Sequence, residues 1–206
     1  MNTKYQRIYL ASQSPRRREL LKQIGVGFDL LLLRNDPHRQ IDVDELPLAQ
    51  ESPVEYVERV CREKAQAAQQ TLRLRNLRAA PILTADTVVT LDQQIIGKPD
   101  DNAHAADILR KLSGRSHEVI TAVAVALDER MECQVVTTRI RFATLDEERI
   151  RRYLLTGEAH GKAGAYGIQG HAAAFVTHLE GSYSGVVGLP LFETVELLKL
   201  FGIPTP

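Results

Sequence analysis

Net charge is the first thing this sequence lacks: its 26 Lys and Arg are offset by 26 Asp and Glu. With no overall field of either sign, nothing draws the whole chain onto nucleic acid or a membrane surface, so any attraction for anions must be local. Cysteine is scarce. Cys61 and Cys133 stand far apart in the sequence with no CxxC pairing, which argues against a disulfide framework or a thiolate zinc site and suits a reducing cytoplasm. Long apolar runs are missing too. Met1 to Arg7 has no apolar h-region, and the densest apolar stretch, Val119 to Leu127, is far shorter than the ~20 residues of a bilayer span, so no targeting or membrane segment is expected. The six histidines show neither an HExxH arrangement nor ligand spacing, and most are expected at the surface. No repeat period and no low-complexity region emerge.

At 206 residues the chain exceeds a minimal domain and falls short of two average ones, so a single domain over residues 1–206, built in one or two lobes, is expected. Helical and strand signals alternate from end to end, the pattern of an α/β protein. Ile8 to Ala11 reads as a short strand running through Ser12 to Pro15 into a helix that ends at Gly25. Phe28 to Leu33 reads as the next strand, followed by a polar, acidic loop expected to be mobile. Ser52 and Pro53 open a helix whose apolar positions Val57, Val60, Cys61 and Ala65 share one face, with Lys64 near it. Pro81 to Leu91 has strand composition interrupted by Asp86, and a turn at Asp92 to Gln94 returns the chain through Ile95 and Ile96. Asp100 or Asp101 can cap a helix from Asn102 to Leu112. His117 to Leu127 and Cys133 to Ala143 are two β-rich stretches joined through Asp128 to Arg130. A helix from Asp146 to Leu155, a glycine-punctuated segment, a strand from Ala173 to Leu179 and a helix from Pro190 to Phe201 follow.

Four segments carry potential chemistry. Ser12-Gln13-Ser14-Pro15-Arg16-Arg17-Arg18 puts three cations at a helix start, where acidic groups are normally favoured by ~0.3–1 kcal/mol each. An anion held by the free backbone N–H groups, the serine hydroxyls and the arginines would remove that conflict; the competing reading is that Arg17 and Arg18 simply face water. Thr84-Ala85-Asp86-Thr87 sets a carboxylate among residues that ask for burial, so a metal ion, a lysine or hydrogen bonds must stabilise it, unless it lies at a strand end bonded to its own turn. Lys98 stands between Gly97 and a backbone-fixing Pro99, as it would in an ordinary turn also. Lys162 stands second in a run from Gly161 to Gly170 whose glycines permit close approach to a ligand or merely punctuate a loop. That run is not a P-loop, because Thr156 occupies the first glycine position of the pattern and Ala163 follows the lysine.

Taken in order, Leu10-Ala11-Ser12-Gln13-Ser14-Pro15-Arg16-Arg17, Glu63-Lys64-Ala65, Ala85-Asp86-Thr87, Gly97-Lys98-Pro99, the run from Lys162 to Gly170 and Val187-Gly188-Leu189-Pro190 resemble the Maf family of nucleotide pyrophosphatases. The likeness runs from about residue 7 to residue 201. It implies an elongated α/β mixed-sheet fold with two lobes around a central groove, similar to the inosine triphosphate pyrophosphatases. The family's dTTP/UTP branch carries Arg, Thr and Gln at the positions of Arg16, Thr87 and Gln169, where the 7-methyl-GTP branch tends to Trp, Gln and Glu. The resemblance therefore implies hydrolysis of dTTP and UTP to the monophosphate and pyrophosphate, with modified pyrimidine triphosphates as further candidates.

By the same resemblance Asp86 is the general base acting on water, with Mg²⁺ or Mn²⁺ as divalent cofactor. Arg16, Lys64, Lys98 and Lys162 surround the triphosphate, Ser12, Ser14 and Arg17 add phosphate hydrogen bonds, and Arg16, Thr87 and Gln169 read the base. The family also has an acidic residue after the first helix and strand that helps to hold metal; Asp36, Asp42, Asp44 and Glu45 all compete for that place. The partners expected are pyrimidine nucleoside triphosphates, with neither nucleic acid nor membrane, and a homodimer is compatible with the family. Two rival readings stand beside this one. A nucleotidyltransferase shares the Leu10-Ala11-Ser12 to Arg16 opening, although its run of glycines is missing, and a nucleotide-binding regulator of cell division would keep the site without turnover.

Overall fold

The computed structural model describes residues 6–33 and 43–205. Asp36 and Asp42, and with them most of the acidic loop expected to be mobile, lie outside the described residues. The α/β expectation holds: among the described residues seven strands form one mixed sheet ordered β2-β1-β3-β5-β6-β7, with β4 paired to β3, and six α-helices accompany it. The strands are β1 (Ile8–Leu10), β2 (Phe28–Leu30), β3 (Ile82–Leu91), β4 (Gln94–Ile96), β5 (Ser116–Leu127), β6 (Arg130–Phe142) and β7 (Val176–Glu180). The helices are α1 (Pro15–Gln23), α2 (Pro53–Leu74), α3 (Asn102–Leu112), α4 (Glu147–Leu155), α5 (Tyr183–Val187) and α6 (Leu191–Leu200). β1 pairs in parallel with β2 and β3, whereas β4 and β7 join β3 and β6 antiparallel.

Two compact units can be told apart along the chain. The first comprises Met1–Asp86, Thr121–Val135 and Gly188–Pro206, and the second Thr87–Ile120 and Val136–Val187. In the first unit α2 begins at a capping box: the Ser52 hydroxyl accepts from the Glu55 amide, and the Glu55 carboxylate accepts from the Ser52 amide, so two otherwise orphaned donors are satisfied. Its buried face is wider than the sequence reading, adding Tyr56, Ala68 and Leu72 to Val57, Val60, Cys61 and Ala65. Ala68 and Leu72 pack with Ala11, Leu31 and Ile82, and burial of this kind stabilises by roughly 25 cal/mol per Å² of apolar surface. Asp86 does not interrupt its strand. β3 runs unbroken through it, with the residue only 8% exposed.

The second unit is built around an edge-to-face group of rings from His117 on β5, Phe142 on β6, Tyr166 and Phe175, with Tyr153 of α4 against Phe175. Asp101 caps α3 by accepting from the His104 amide at 2.7 Å, and Ser113 ties the end of that helix to Leu145. The strand expected from Ala173 starts later, because His171–Phe175 form a 3-10 turn that buries Ala172 and Phe175 before β7 begins. No helix among the described residues is long and apolar enough to cross a membrane.

His104, His160, His171 and His178 are exposed as expected, but His117 is 2% exposed. Its Nε2 lies 2.8 Å from the Tyr166 hydroxyl, and its Nδ1 is buried with no hydrogen-bond partner among the described residues. Burial pushes its pKa down to about 4, so between that value and the ordinary ~6.5 the unfolded chain takes up a proton that the folded one refuses. Stability is therefore highest above the upper value and falls as pH drops through the window, by about 2 kcal/mol between pH 7 and pH 5. Urea unfolding at those two pH values should show this slope in the native protein and lose it in His117→Phe. An unchanged slope in the variant would assign the acid sensitivity elsewhere.

Candidate active site

The first unit assembles its polar groups through the contact of α2 with β3. The Thr84 hydroxyl, fully buried, donates to the Cys61 carbonyl at 3.0 Å and lies 3.6 Å from the Cys61 sulfur. That bond sets the helix against the strand. One turn on from Cys61 comes Lys64, two residues on from Thr84 comes Asp86 on the same strand face, and Lys64 Nζ meets Asp86 Oδ1 at 2.6 Å. The lysine that the sequence placed near the apolar face is thus the partner that a buried carboxylate requires.

A second carboxylate converges on the same ammonium: Glu45 Oε1 is 2.7 Å from Lys64 Nζ. Of the four competing acids, Glu45 is the one that the described residues bring there. Asp44 instead turns its carboxylate to the amide of Leu46 at 3.0 Å, closing its own turn. Two side chains of α2 hold the Glu45 segment. Tyr56 donates to the Glu45 carbonyl at 2.8 Å. Arg59 grips both Glu51 oxygens, at 2.6 and 2.9 Å, and the Leu46 carbonyl at 3.1 Å. Burial, with Asp86 and then Glu45 adding to it, pushes the Tyr56 phenol up to about 12, so it stays a donor across the physiological range. Sequence reasoning missed Thr84, Tyr56 and Arg59 as supports, although the amphipathic pattern of α2 already turned Tyr56 toward the interior.

At the start of α1 the Ser12 hydroxyl accepts from the Ser14 amide at 3.2 Å and from Arg17 Nη1 at 3.3 Å. Arg17 does not face water: its Nε donates to the Gly188 carbonyl at 2.8 Å, which ties the first motif of the chain to its last. Burial lowers the Arg17 pKa from its ordinary value, and the Asp86 carboxylate nearby works in the opposite direction. Ser14 makes no side-chain cap, and the first turn contains no acid, so the helix start keeps the donor-rich, cationic character that an anion would complement. Arg16 is half-buried in that turn.

Thr87, Lys98, Lys162 and Gln169 lie in the second unit. The Gly164 amide donates to the Gly97 carbonyl at 3.1 Å, joining the segment before Lys98 to the one that follows Lys162. Gly164 has φ +69°, and a Cβ there would stand 2.9 to 3.1 Å from the side chain of Val89, so only glycine lets this loop lie on β3. A Cβ at Gly167 would lie 3.1 Å from Lys162 Cε and 3.3 Å from Gln169 Oε1. Lys162 and Gln169 therefore flank one small residue. Lys98 and Gln169 are exposed, and Thr87 and Lys162 half-buried.

The pattern of Maf-like proteins matches residues 7–201. The chain is 50% identical over 196 residues to a dTTP/UTP pyrophosphatase of Nitrosomonas europaea, covering 95% of each chain. It is 54% identical over 193 residues to a dTTP/UTP pyrophosphatase of Nitrosospira multiformis, covering 94% of this chain and 93% of the relative. A protein of the same name from Aromatoleum aromaticum is 52% identical over 199 residues, covering 96% and 97%. Nearly end-to-end likeness at half identity leaves one assignment: this chain belongs to the family of Maf-like proteins.

Proposed function

We propose that the chain is a nucleoside triphosphate pyrophosphatase acting on dTTP and UTP. The observation that carries the reading is the buried Asp86 carboxylate held at 2.6 Å by Lys64, with Glu45 at 2.7 Å from the same ammonium. The names of the half-identical relatives support the substrate class. In this reaction water attacks the α-phosphorus, the new P–O bond forms as the bond to the β-phosphate oxygen breaks, and pyrophosphate leaves. Asp86 takes the proton of the attacking water as general base. Lys64 pairs with that carboxylate before the step, and Arg16, Lys98 and Lys162 neutralise the charge that grows on the leaving group. Ser12, Ser14 and Arg17 bind phosphate oxygens at the start of α1.

A divalent cation fits this donor set. Asp86 and Glu45 offer hard carboxylate oxygens, at 2.6 and 2.7 Å from the Lys64 ammonium that both contact, and Mg²⁺ or Mn²⁺ takes one or two such carboxylates together with substrate phosphates. When bound, the cation supplies Lewis acidity at the phosphates. The base is read by Gln169, whose amide both donates and accepts and so matches O4 and N3–H of uracil or thymine, with Thr87 and Arg16 as further base-reading groups. Cytosine presents the reverse pattern.

The test is a panel of purified protein with Mg²⁺ or Mn²⁺ and each nucleoside triphosphate in turn, measuring pyrophosphate and monophosphate. UTP and dTTP should be turned over at least tenfold more efficiently than CTP and the purine nucleotides. Gln169→Glu should lose about a hundredfold in kcat/KM for UTP with little change in melting temperature, because a base donor is gone while the exposed position keeps its shape. Turnover that needs a sugar phosphate acceptor, or equal losses on every nucleotide, would sink the reading.

A further inference from the structure

The glycine-punctuated loop is closed at its base by Glu158. Both carboxylate oxygens accept from the His171 amide, at 3.1 and 3.0 Å, and Oε1 also lies 2.5 Å from His171 Nδ1. The Glu158 carbonyl accepts from Lys162 Nζ. The carboxylate lies directly on the backbone of Gly170, where an added Cβ would stand 2.4 Å from Oε2 and 2.6 Å from the carboxyl carbon. Its side chain is 24% exposed. Residues 158–171 thus form a compact loop whose two ends are clasped, with His171 two residues from Gln169 and Glu158 four residues from Lys162.

We infer that Glu158 is a positioning residue, which holds Lys162 and Gln169 in register for the triphosphate and the pyrimidine ring. This rests on the reading of Lys162 and Gln169 given above, and it assigns the work to a residue outside the groups proposed to contact the nucleotide. A loop carrying an exposed amide and a long flexible cation has little apolar contact of its own at those two side chains, and ordering them costs conformational entropy. The clasp meets that cost before substrate arrives. A charged acceptor bonded to a main-chain N–H and an imidazole is stronger than a neutral one. Although burial works against the anion, the His171 bonds outweigh it and hold Glu158 below the usual carboxylate range. The charge is therefore retained at neutral pH. With glycine at 170 the carboxylate can lie this close to the backbone.

The experiment compares the full chain with Glu158→Ala and Glu158→Gln, measuring kcat and KM for UTP and CTP, melting temperature, and amide hydrogen exchange along residues 159–171. Glu158→Ala should raise KM for UTP about tenfold with kcat within about threefold, narrow the preference for UTP over CTP, and speed exchange within the loop while β3 is unchanged. Glu158→Gln should recover most of the KM, since its amide oxygen still accepts from His171. Unchanged KM and exchange in Glu158→Ala would overturn the inference. So would a fall in kcat shared by both nucleotides and matched by a fall in melting temperature, which is the signature of a merely structural contact. Should the native protein release no pyrophosphate from any nucleotide, the proposed function fails by itself, and unchanged exchange in Glu158→Ala would still overturn the clasp.

Discussion

Asp86→Asn is expected to abolish nearly all turnover of UTP while leaving the protein folded. The substitution keeps the shape of the side chain and its hydrogen bond from Lys64, so the 8% exposed position loses charge but little packing, and Lys64 retains Glu45 at 2.7 Å. An amide oxygen is a very weak base for water. A general base and the electrostatics around it are together worth about 10³-fold or more, which corresponds to roughly 4 kcal/mol in the barrier. With the divalent cation at saturating concentration the loss should appear chiefly in kcat, because the base acts only as the proton moves. Single-turnover pyrophosphate release and thermal unfolding on the same preparation would check both halves. Near-native kcat would remove Asp86 from the chemistry, and a collapsed melting temperature would make its role one of stability. A strong cell-division phenotype that survives in the Asp86→Asn protein would favour the regulator over the enzyme.

Much of this arrangement was legible in the sequence because the signals were local. Ser52 and Pro53 announced α2, Asp100 or Asp101 announced α3, and the two long β-rich stretches announced β5 and β6. The Ala173 strand was placed too early because an alanine-rich run carries no alternation to read, and the burial of Phe175 among Phe142 and Tyr153 decides its conformation instead. α5 spans five residues, too few for a 3.6-residue period to register. β2 is shorter than Phe28 to Leu33 because its ladder partner β1 has only three residues to offer.

Site residues divide along the same line. Asp86 and Lys64 were each conspicuous alone, one as a charge in an apolar strand and the other as a cation beside an apolar face, and their union needed only the register that Thr84 supplies through Cys61. Glu45 was indistinguishable from its acidic neighbours, because nothing local separates four acids in one polar stretch. What separates it is Tyr56 and Arg59 gripping its segment from α2, a tertiary fact. Glu158 was silent for the same reason: a glutamate after a helix end reads as solvated surface until His171 and the bare backbone of Gly170 are seen against it.

The ion pair at the centre of the first unit makes the largest stability prediction. Lys64 and Asp86 side chains are 15% and 12% exposed, so removing the cation strands a carboxylate that was desolvated on the strength of its partner. Lys64→Met preserves the length and apolar packing of the side chain, yet it should destabilise by about 3 kcal/mol at pH 7, since the cost of a broken buried pair is the unpaired charge left behind. Glu45, half exposed in its side chain, can turn to water and adds little. The double variant Lys64→Met with Asp86→Asn should regain most of that loss, because no anion then remains to be held in the interior, and the cycle of four proteins isolates the pair. Activity should stay lost in all three variants, as stability and catalysis draw on the same contact for different reasons. Additive destabilisation in the double variant would mean that Lys64 supports the fold through its aliphatic stem, and that Asp86 is sustained in its strand by something other than the lysine.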